Sequence, residues 1–490
     1  MNSTAPSRRP AQSALLLTGL ILLALFLRAY RLGDWGFEAT EMFTLRDSNN
    51  PKLGNPRPLI YFLNYFLVGS WRPLDELGLR ILPALFGVLA VPAIYSVGRR
   101  LAGTRAALFA AFLLAVSSFH VYYSQFARYW SLVFLLCAIY PYAIYVGIRE
   151  RNRRALIAGI VTGVLAILAH PVSTLLAGGL AVWLLATYVR RDHMVWLWDQ
   201  KAFRWGAFGF AVLLAVLAVR YVPMLQAWVA ERDEGKGGQF LLHLPGGPGF
   251  KQLAILLSYA DTLTIPLVLA GLLGIIILWQ RGERALALLM TCLLVVPVVF
   301  LVMVSFRTAI STIYLLPTMP VMFYTAGVFL DRLSDVDLGV RPRWLVPATV
   351  AALLIIGGIP TLVSQYRDGR RYDYRSMAEW LNQRREAGDV VFSDQHQVMQ
   401  YYLKQPVQRL AGDPAPLIEA LPAPGTGILW IVAPAPSHAF RTNPKLGRLK
   451  TWLHDNCQLR NTLGSGRLDF RQHYLEIYRC PPEVPAGRSP

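Results

Sequence analysis

Between Trp35 and Ser48 the chain reads WGFEATEMFTLRDS, which gathers Glu38, Glu41, Arg46 and Asp47. Charged residues are only 16% of the sequence, so acids clustered with an arginine need a reason. Arg57 follows, ahead of PLIYF. HVYYSQFARYW then carries His120, Tyr123, Gln125 and Arg128, His170 precedes Pro171, and Arg307 and Tyr314 lie further on. A carboxylate with several arginines suits group transfer away from a phosphate. Guanidinium groups hold phosphate oxygens in planar, bidentate form, and a carboxylate takes the proton of an attacking hydroxyl. A phosphate leaving group needs no second acid to protonate it, unlike the paired acids of most glycosidases. Glu41 is therefore the first candidate for general base or site organiser, with Glu38 the alternative. Arg57, Arg128 and Arg307 are candidate phosphate ligands, and Tyr123, Gln125, His170 and Tyr314 are candidates to orient the substrate.

Each residue also has a plainer reading. Arg128 could snorkel to lipid headgroups, Tyr122, Tyr123, Tyr129 and Trp130 fit an interfacial aromatic belt, His170 could end a helix, and Asp47 reads as a turn residue. Other chemistries lack their residues. There is no Gly-rich nucleotide loop, no G-x-S-x-G elbow and no CxxC or HExxH spacing. A carboxylate could hold a divalent ion beside a phosphate, but nothing in the sequence calls for one, and the cofactor requirement is left open.

The elements that must position these residues are membrane helices. The chain has 490 residues, 54% of them hydrophobic, and a mean hydropathy of +0.40. Several apolar runs reach the roughly 20 residues that cross a bilayer. About eleven spans are expected, centred near Leu22, Gly87, Leu113, Leu136, Gly163, Gly179, Leu214, Leu269, Leu294, Phe323 and Leu354. The net charge of +19 sits largely in short loops, which marks their cytoplasmic side and argues against a nucleic-acid partner. SRRP at the start then lies inside, the first helix reads as uncleaved, and the C-terminus lies outside. The first loop, 31–76, is external despite its arginines, and its RPLIYFLNYFLVGSW suits the membrane interface. A Gly-rich loop from about Pro223 to Gln252 is a candidate lid.

Composition divides the chain into a membrane domain, 1–364, and an extracytoplasmic soluble domain, 365–490. In the second, YDYRSMAEWLNQRREAGDVVFSD predicts an amphipathic helix, a glycine turn and a buried strand, and alternating helices and strands predict a small α/β fold. Cys457 and Cys480 flank an expected hairpin and could form a disulfide outside the cytoplasm. Cys137 and Cys292 lie in apolar runs.

The stretch LRILPALFGVLAVPAIYSVGRRLAGTRAALFAAFLLAVSSFHVYYSQFARYWSL, with the acid-bearing loop before it, resembles the bacterial protein O-mannosyltransferase-like enzymes. These are GT-C integral-membrane glycosyltransferases, and the resembling group includes the Rgt-type lipopolysaccharide-core sugar transferases. The resemblance runs from about Leu15 to Leu330. It implies a polyprenyl-phosphate sugar donor, transfer on the outer face of the inner (cell) membrane, inversion at the anomeric carbon, and an envelope glycolipid, glycan or protein as acceptor. The family's Asp-Glu pair is here Thr40-Glu41, its Ser-Gln-Glu-Ala-Arg is SQFAR with Phe126, and its Arg-Tyr before Leu-Leu-Pro keeps only Tyr314. The rival readings are a transporter or flippase of a lipid-linked substrate, which would place ionisable groups at the midplane, and a non-catalytic envelope scaffold.

Overall fold

The computed structural model describes residues 9–55, 57–188, 264–305, 311–336, 344–410, 415–420, 427–434, 444–464 and 474–480, with scattered positions between 199 and 263. Arg307, the expected span at Leu214 and the whole Gly-rich loop lie outside the described residues. The chain divides into two compact units. One comprises 1–30, 48–72 and 80–359; the other comprises 31–47, 73–79 and 360–490. The composition boundary at 364/365 thus falls a few residues beyond the structural one, and the first loop is shared between the units.

The larger unit is helical, and the protein is a multi-pass membrane protein. Five helices among the described residues are long and apolar enough to cross a membrane, or seven if each of two bent pairs counts as one span. The other predicted centres also lie on helices. However, α9 (Arg153–Ala169), α10 (Thr174–Tyr188) and α11 (Ile265–Gln280) have only 17, 15 and 16 residues, short of the usual span. Helices meet through small residues, as lipid-embedded bundles require. A side chain at Gly274 would overlap the carbonyl of Thr325, and one at Gly327 the carbonyl of Ala106. At one end of this unit Asp331 pairs with Arg105 (2.9 Å) and Arg281 (3.3 Å).

One bent pair carries the chain toward Arg128. Helix α5 (Thr104–Val116) and α6 (Ser118–Ser124) meet at 60°, and the break strands carbonyls of the last turn of α5. Arg28, at the end of α1 (Arg9–Ala29), is fully buried and satisfies them. It donates to the carbonyls of Ala115 (3.0 Å) and Leu114 (3.2 Å), and its Nη2 lies 2.8 Å from His120 Nδ1. Gln125 completes the joint from the other side. Its buried amide donates to the carbonyls of Leu27, Arg28 and Tyr30 at 3.4, 3.2 and 2.8 Å, closing the C-terminus of α1.

The smaller unit holds a five-stranded mixed sheet of order β2-β1-β3-β5-β4. Strand β1 (Val390–Ser393) runs parallel to β2 (Gln408–Arg409) and β3 (Leu429–Pro434). Strand β5 (Leu475–Cys480) runs antiparallel to β3 and to β4 (Gln458–Leu463). Phe392, Leu417, Leu429, Ile431, Leu449, Leu453 and Cys480 form a core against it. The predicted helix, turn and strand are present. Asp373 caps Tyr374–Asn382 by accepting from Ser376 N–H at 3.0 Å, Gly388 turns with a φ of 101°, and β1 follows. Cys457 and Cys480 are disulfide-bonded. Replacing both with alanine is expected to cost about 2–4 kcal/mol, seen as a lowered melting temperature of the full-length protein. A reductant should produce the same shift in the wild type and none in the variant.

Candidate active site

In the helical unit four predicted residues come together around a ring that the sequence alone assigns to the interfacial belt. Arg57 stands at the start of the short helix α3 (Pro58–Leu63), where Pro58 fixes the first turn. Arg128 lies in the turn between α6 and α7 (Trp130–Cys137), and Tyr129 caps α7. The guanidinium carbons of Arg57 and Arg128 lie 4.9 and 4.8 Å from the centroid of the same Tyr129 ring, in cation–π range. Arg128 Nη2 also donates to Tyr129 Oη at 3.2 Å. Arg128 is 7% exposed, so snorkelling to headgroups does not describe it.

His170 faces the same ring at 4.8 Å and Trp130 at 5.0 Å, and Tyr314 lies 6.0 Å from His170. His170 does end α9, as its plainer reading expected, but it does more. Val172 N–H donates to His170 Nδ1 at 3.0 Å. That nitrogen is therefore an acceptor, and Nε2 carries the proton. Burial first, then the charges of Arg57 and Arg128, hold the imidazole well below its usual pKa and so neutral. His170 Nε2 and Arg57 Nε are buried without a hydrogen-bond partner among the described residues. Buried N–H donors such as these two are costly unless an acceptor binds them.

Tyr123 reaches this group through Trp130, with ring centroids 6.4 Å apart. Gln125 does not belong to it, because its amide serves the end of α1. His120 is likewise committed to the interior, beside Arg28.

Glu38 and Glu41 lie in the smaller unit. Glu38 immediately precedes helix α2 (Ala39–Asn49), and Glu41 lies in its first turn. Glu41 is fully buried; its Oε2 accepts from Glu38 N–H at 2.9 Å and from Arg371 Nη1 at 2.9 Å. Glu38 is partly exposed. Asp47, expected from the sequence to lie in a turn, is instead inside α2, and it pairs with Arg46 at 2.8 Å. Asp394, after β1, accepts from Tyr374 Oη at 3.0 Å. Desolvation raises its pKa to about 6, with Tyr374 and Ser393 opposing the shift.

A carboxyl whose folded pKa lies above its unfolded value near 4 binds its proton more tightly in the native state, so its contribution to stability is lost as pH rises through 6. Asp394→Asn is expected to remove up to about 3 kcal/mol of that dependence between pH 4 and 6. Melting curves of the full chain at several pH values check this, and equal slopes in variant and wild type would contradict it. Among the described residues no three His, Cys, Asp or Glu side chains gather as metal ligands.

The helical unit and the small α/β unit have the fold of the GT-C membrane glycosyltransferases. Residues 69–227 match the family described as dolichyl-phosphate-mannose-protein mannosyltransferase. ArnT from Cupriavidus metallidurans in the apo state is similar in structure over 96% of this chain and 98% of its own, at 15% identity and a TM-score of 0.56. The same protein bound to undecaprenyl phosphate is similar over 99% and 100%, at 13% identity and a TM-score of 0.55. AglB of Archaeoglobus fulgidus, in complex with an inhibitory peptide and a dolichol-phosphate, is similar over 87% and 70%, at 12% identity and a TM-score of 0.52. At these identities the likeness establishes the fold. No curated protein matches the chain.

Proposed function

We propose that the protein transfers a sugar from a polyprenyl-phosphate carrier to a hydroxyl of an envelope glycolipid, glycan or protein at the outer face of the cell membrane. The observation that carries this reading is the pair of guanidinium groups around Tyr129, with N–H groups of His170 and Arg57 beside them that find no partner among the described residues. Such a donor set suits a phosphate monoanion or dianion better than a neutral sugar. The undecaprenyl phosphate bound to ArnT and the dolichol-phosphate in AglB support a lipid-phosphate ligand for this fold.

In the reaction the acceptor oxygen attacks the anomeric carbon as the bond from that carbon to the phosphate oxygen breaks. The electron pair passes to the phosphate, whose charge Arg57 and Arg128, with Arg307 as a third candidate, stabilise. A first-loop carboxylate, Glu41 or Glu38, takes the hydroxyl proton. Single displacement inverts the anomeric centre. Tyr314, Tyr123 and Trp130 offer ring faces for a sugar or the lipid's first isoprene units. The disulfide in the tail agrees with an extracytoplasmic location, and the basic short loops agree with the opposite side being cytoplasmic.

Mass spectrometry of envelope glycolipids and glycoproteins from a deletion strain, with and without the wild-type gene, tests the reading. A sugar-sized mass restored by the wild type and not by Arg57→Gln/Arg128→Gln is the expected result. No sugar-sized change on deletion would return the protein to the transporter and scaffold readings.

A further inference from the structure

The first loop's acids are built into the smaller unit by two polar clamps on either side of Glu38. On one side, Tyr402 Oη accepts from Phe37 N–H at 2.7 Å and donates to Glu76 Oε1 at 2.6 Å. Glu76 also pairs with Arg375. On the other side, Arg371, 4% exposed, donates through Nη1 to Glu41 at 2.9 Å and to Gly36 O at 3.3 Å, and through Nε to Gly369 O at 3.2 Å. Gly36 cannot carry a side chain here without crowding Tyr402 Oη and Arg375 Cβ. At Gly369, where φ is 68°, a side chain would run into the ring of Trp35.

Glu41 is the third residue of helix α2 and returns its carboxylate to the N–H of Glu38, which is the reciprocal half of a capping box. Its backbone N–H in turn donates to Glu38 O at 2.8 Å. We propose that Arg371 is the positioning residue of the first-loop carboxylates: its ion pair with Glu41 fixes the start of α2, so that Glu38 is the carboxylate that takes the acceptor's proton. The proposal rests on the transfer reaction above and decides between its two candidate bases. Protonating Glu41 would break this buried ion pair, which is strongly unfavourable. Glu38 is partly exposed, and so can receive a proton from an acceptor without opening that pair. The residue that holds the loop thus comes from the C-terminal segment, which makes this segment part of the transfer machinery.

The test uses the full-length protein with Glu38→Gln, Glu41→Gln, Arg371→Met and the double variant Glu41→Gln/Arg371→Met. Glutamine at 41 can still accept from Glu38 N–H, and the double variant leaves no unpaired charge. In the complemented deletion strain, Glu38→Gln should lose the envelope sugar at least a hundredfold. Arg371→Met should lose it at least tenfold, and the double variant should recover most of the wild-type level. Binding of undecaprenyl phosphate to purified Arg371→Met should equal that of the wild type, which general misfolding would not allow. Amide exchange in residues 39–49 should quicken in Arg371→Met and slow again in the double variant. A double variant as inactive as Glu38→Gln, or full activity of Glu38→Gln, would overturn the assignment while leaving transfer intact. If the wild type itself restores no sugar, the functional reading falls, and the role of Glu38 falls with it. Unchanged exchange in Arg371→Met would then overturn the positioning role as well.

Discussion

Replacing Arg57 and Arg128 together with glutamine is expected to weaken binding of undecaprenyl phosphate about a hundredfold or more. Each charge-assisted hydrogen bond contributes about 1.5–3 kcal/mol, and a factor of ten corresponds to about 1.4 kcal/mol. Two such arginines therefore account for at least two decades. The single variants should each lose about tenfold, because the remaining guanidinium still faces Tyr129 at under 5 Å. His170→Ala should lose less than either arginine, since it contributes a neutral N–H. Arg105→Gln is the control. It removes a cation paired with Asp331 and Asp335 and should leave lipid binding unchanged. Native mass spectrometry of the purified protein with added undecaprenyl phosphate reads all of these. Equal affinity in the double variant and the wild type would remove the phosphate from this cluster.

The second large effect is structural. Arg28→Met is expected to destabilise the helical unit by about 2–6 kcal/mol, from two buried carbonyls left unsatisfied at about 1–3 kcal/mol each. The carbonyls of Leu114 and Ala115 would lose their donor where α5 breaks, and His120 Nδ1 would lose its neighbour. In a membrane unit water cannot replace them cheaply. Because α6 leads directly to Arg128 and Tyr129, the loss should reach the cluster before the protein unfolds. Arg28→Lys should recover only part of the stability, since one ammonium cannot serve two carbonyls of α5 and His120 Nδ1 with the same planar spread. Thermal unfolding in detergent measures the shift, and a change below about 1 kcal/mol would mean the break is held by other contacts.

Local features are legible in the sequence where physics is local. The centres of the spans, the helix capped by Asp373, the turn at Gly388 and the cysteines flanking a hairpin all depend on residues near in the chain. The partners of Arg28, Gln125 and Glu41 do not. Gln125 reads as a sugar ligand because it sits among tyrosines beside Arg128, yet its amide goes to carbonyls nearly a hundred residues earlier. Glu41 reads as an available base until Arg371, 330 residues away, is found against it. Tyr129 and Trp130 look like an interfacial belt because sequence cannot tell a ring facing lipid from one buried under two arginines. Conversely, Arg57, Arg128, His170 and Tyr314 are legible as a group, because costly polar residues at the ends of apolar runs are few. Their meeting at one ring is not.

The most direct test of lipid-phosphate-dependent transfer is a product balance. Polyprenyl-phosphate sugars extracted from the deletion strain would be supplied to membranes containing the wild-type chain. Free polyprenyl phosphate and sugar-sized mass added to acceptors would then be counted together. The mechanism requires one lipid phosphate for each sugar transferred, with both absent when Arg57 and Arg128 are glutamine. Sugar transfer without release of lipid phosphate, or consumption of neither substrate by the wild-type chain, would contradict it.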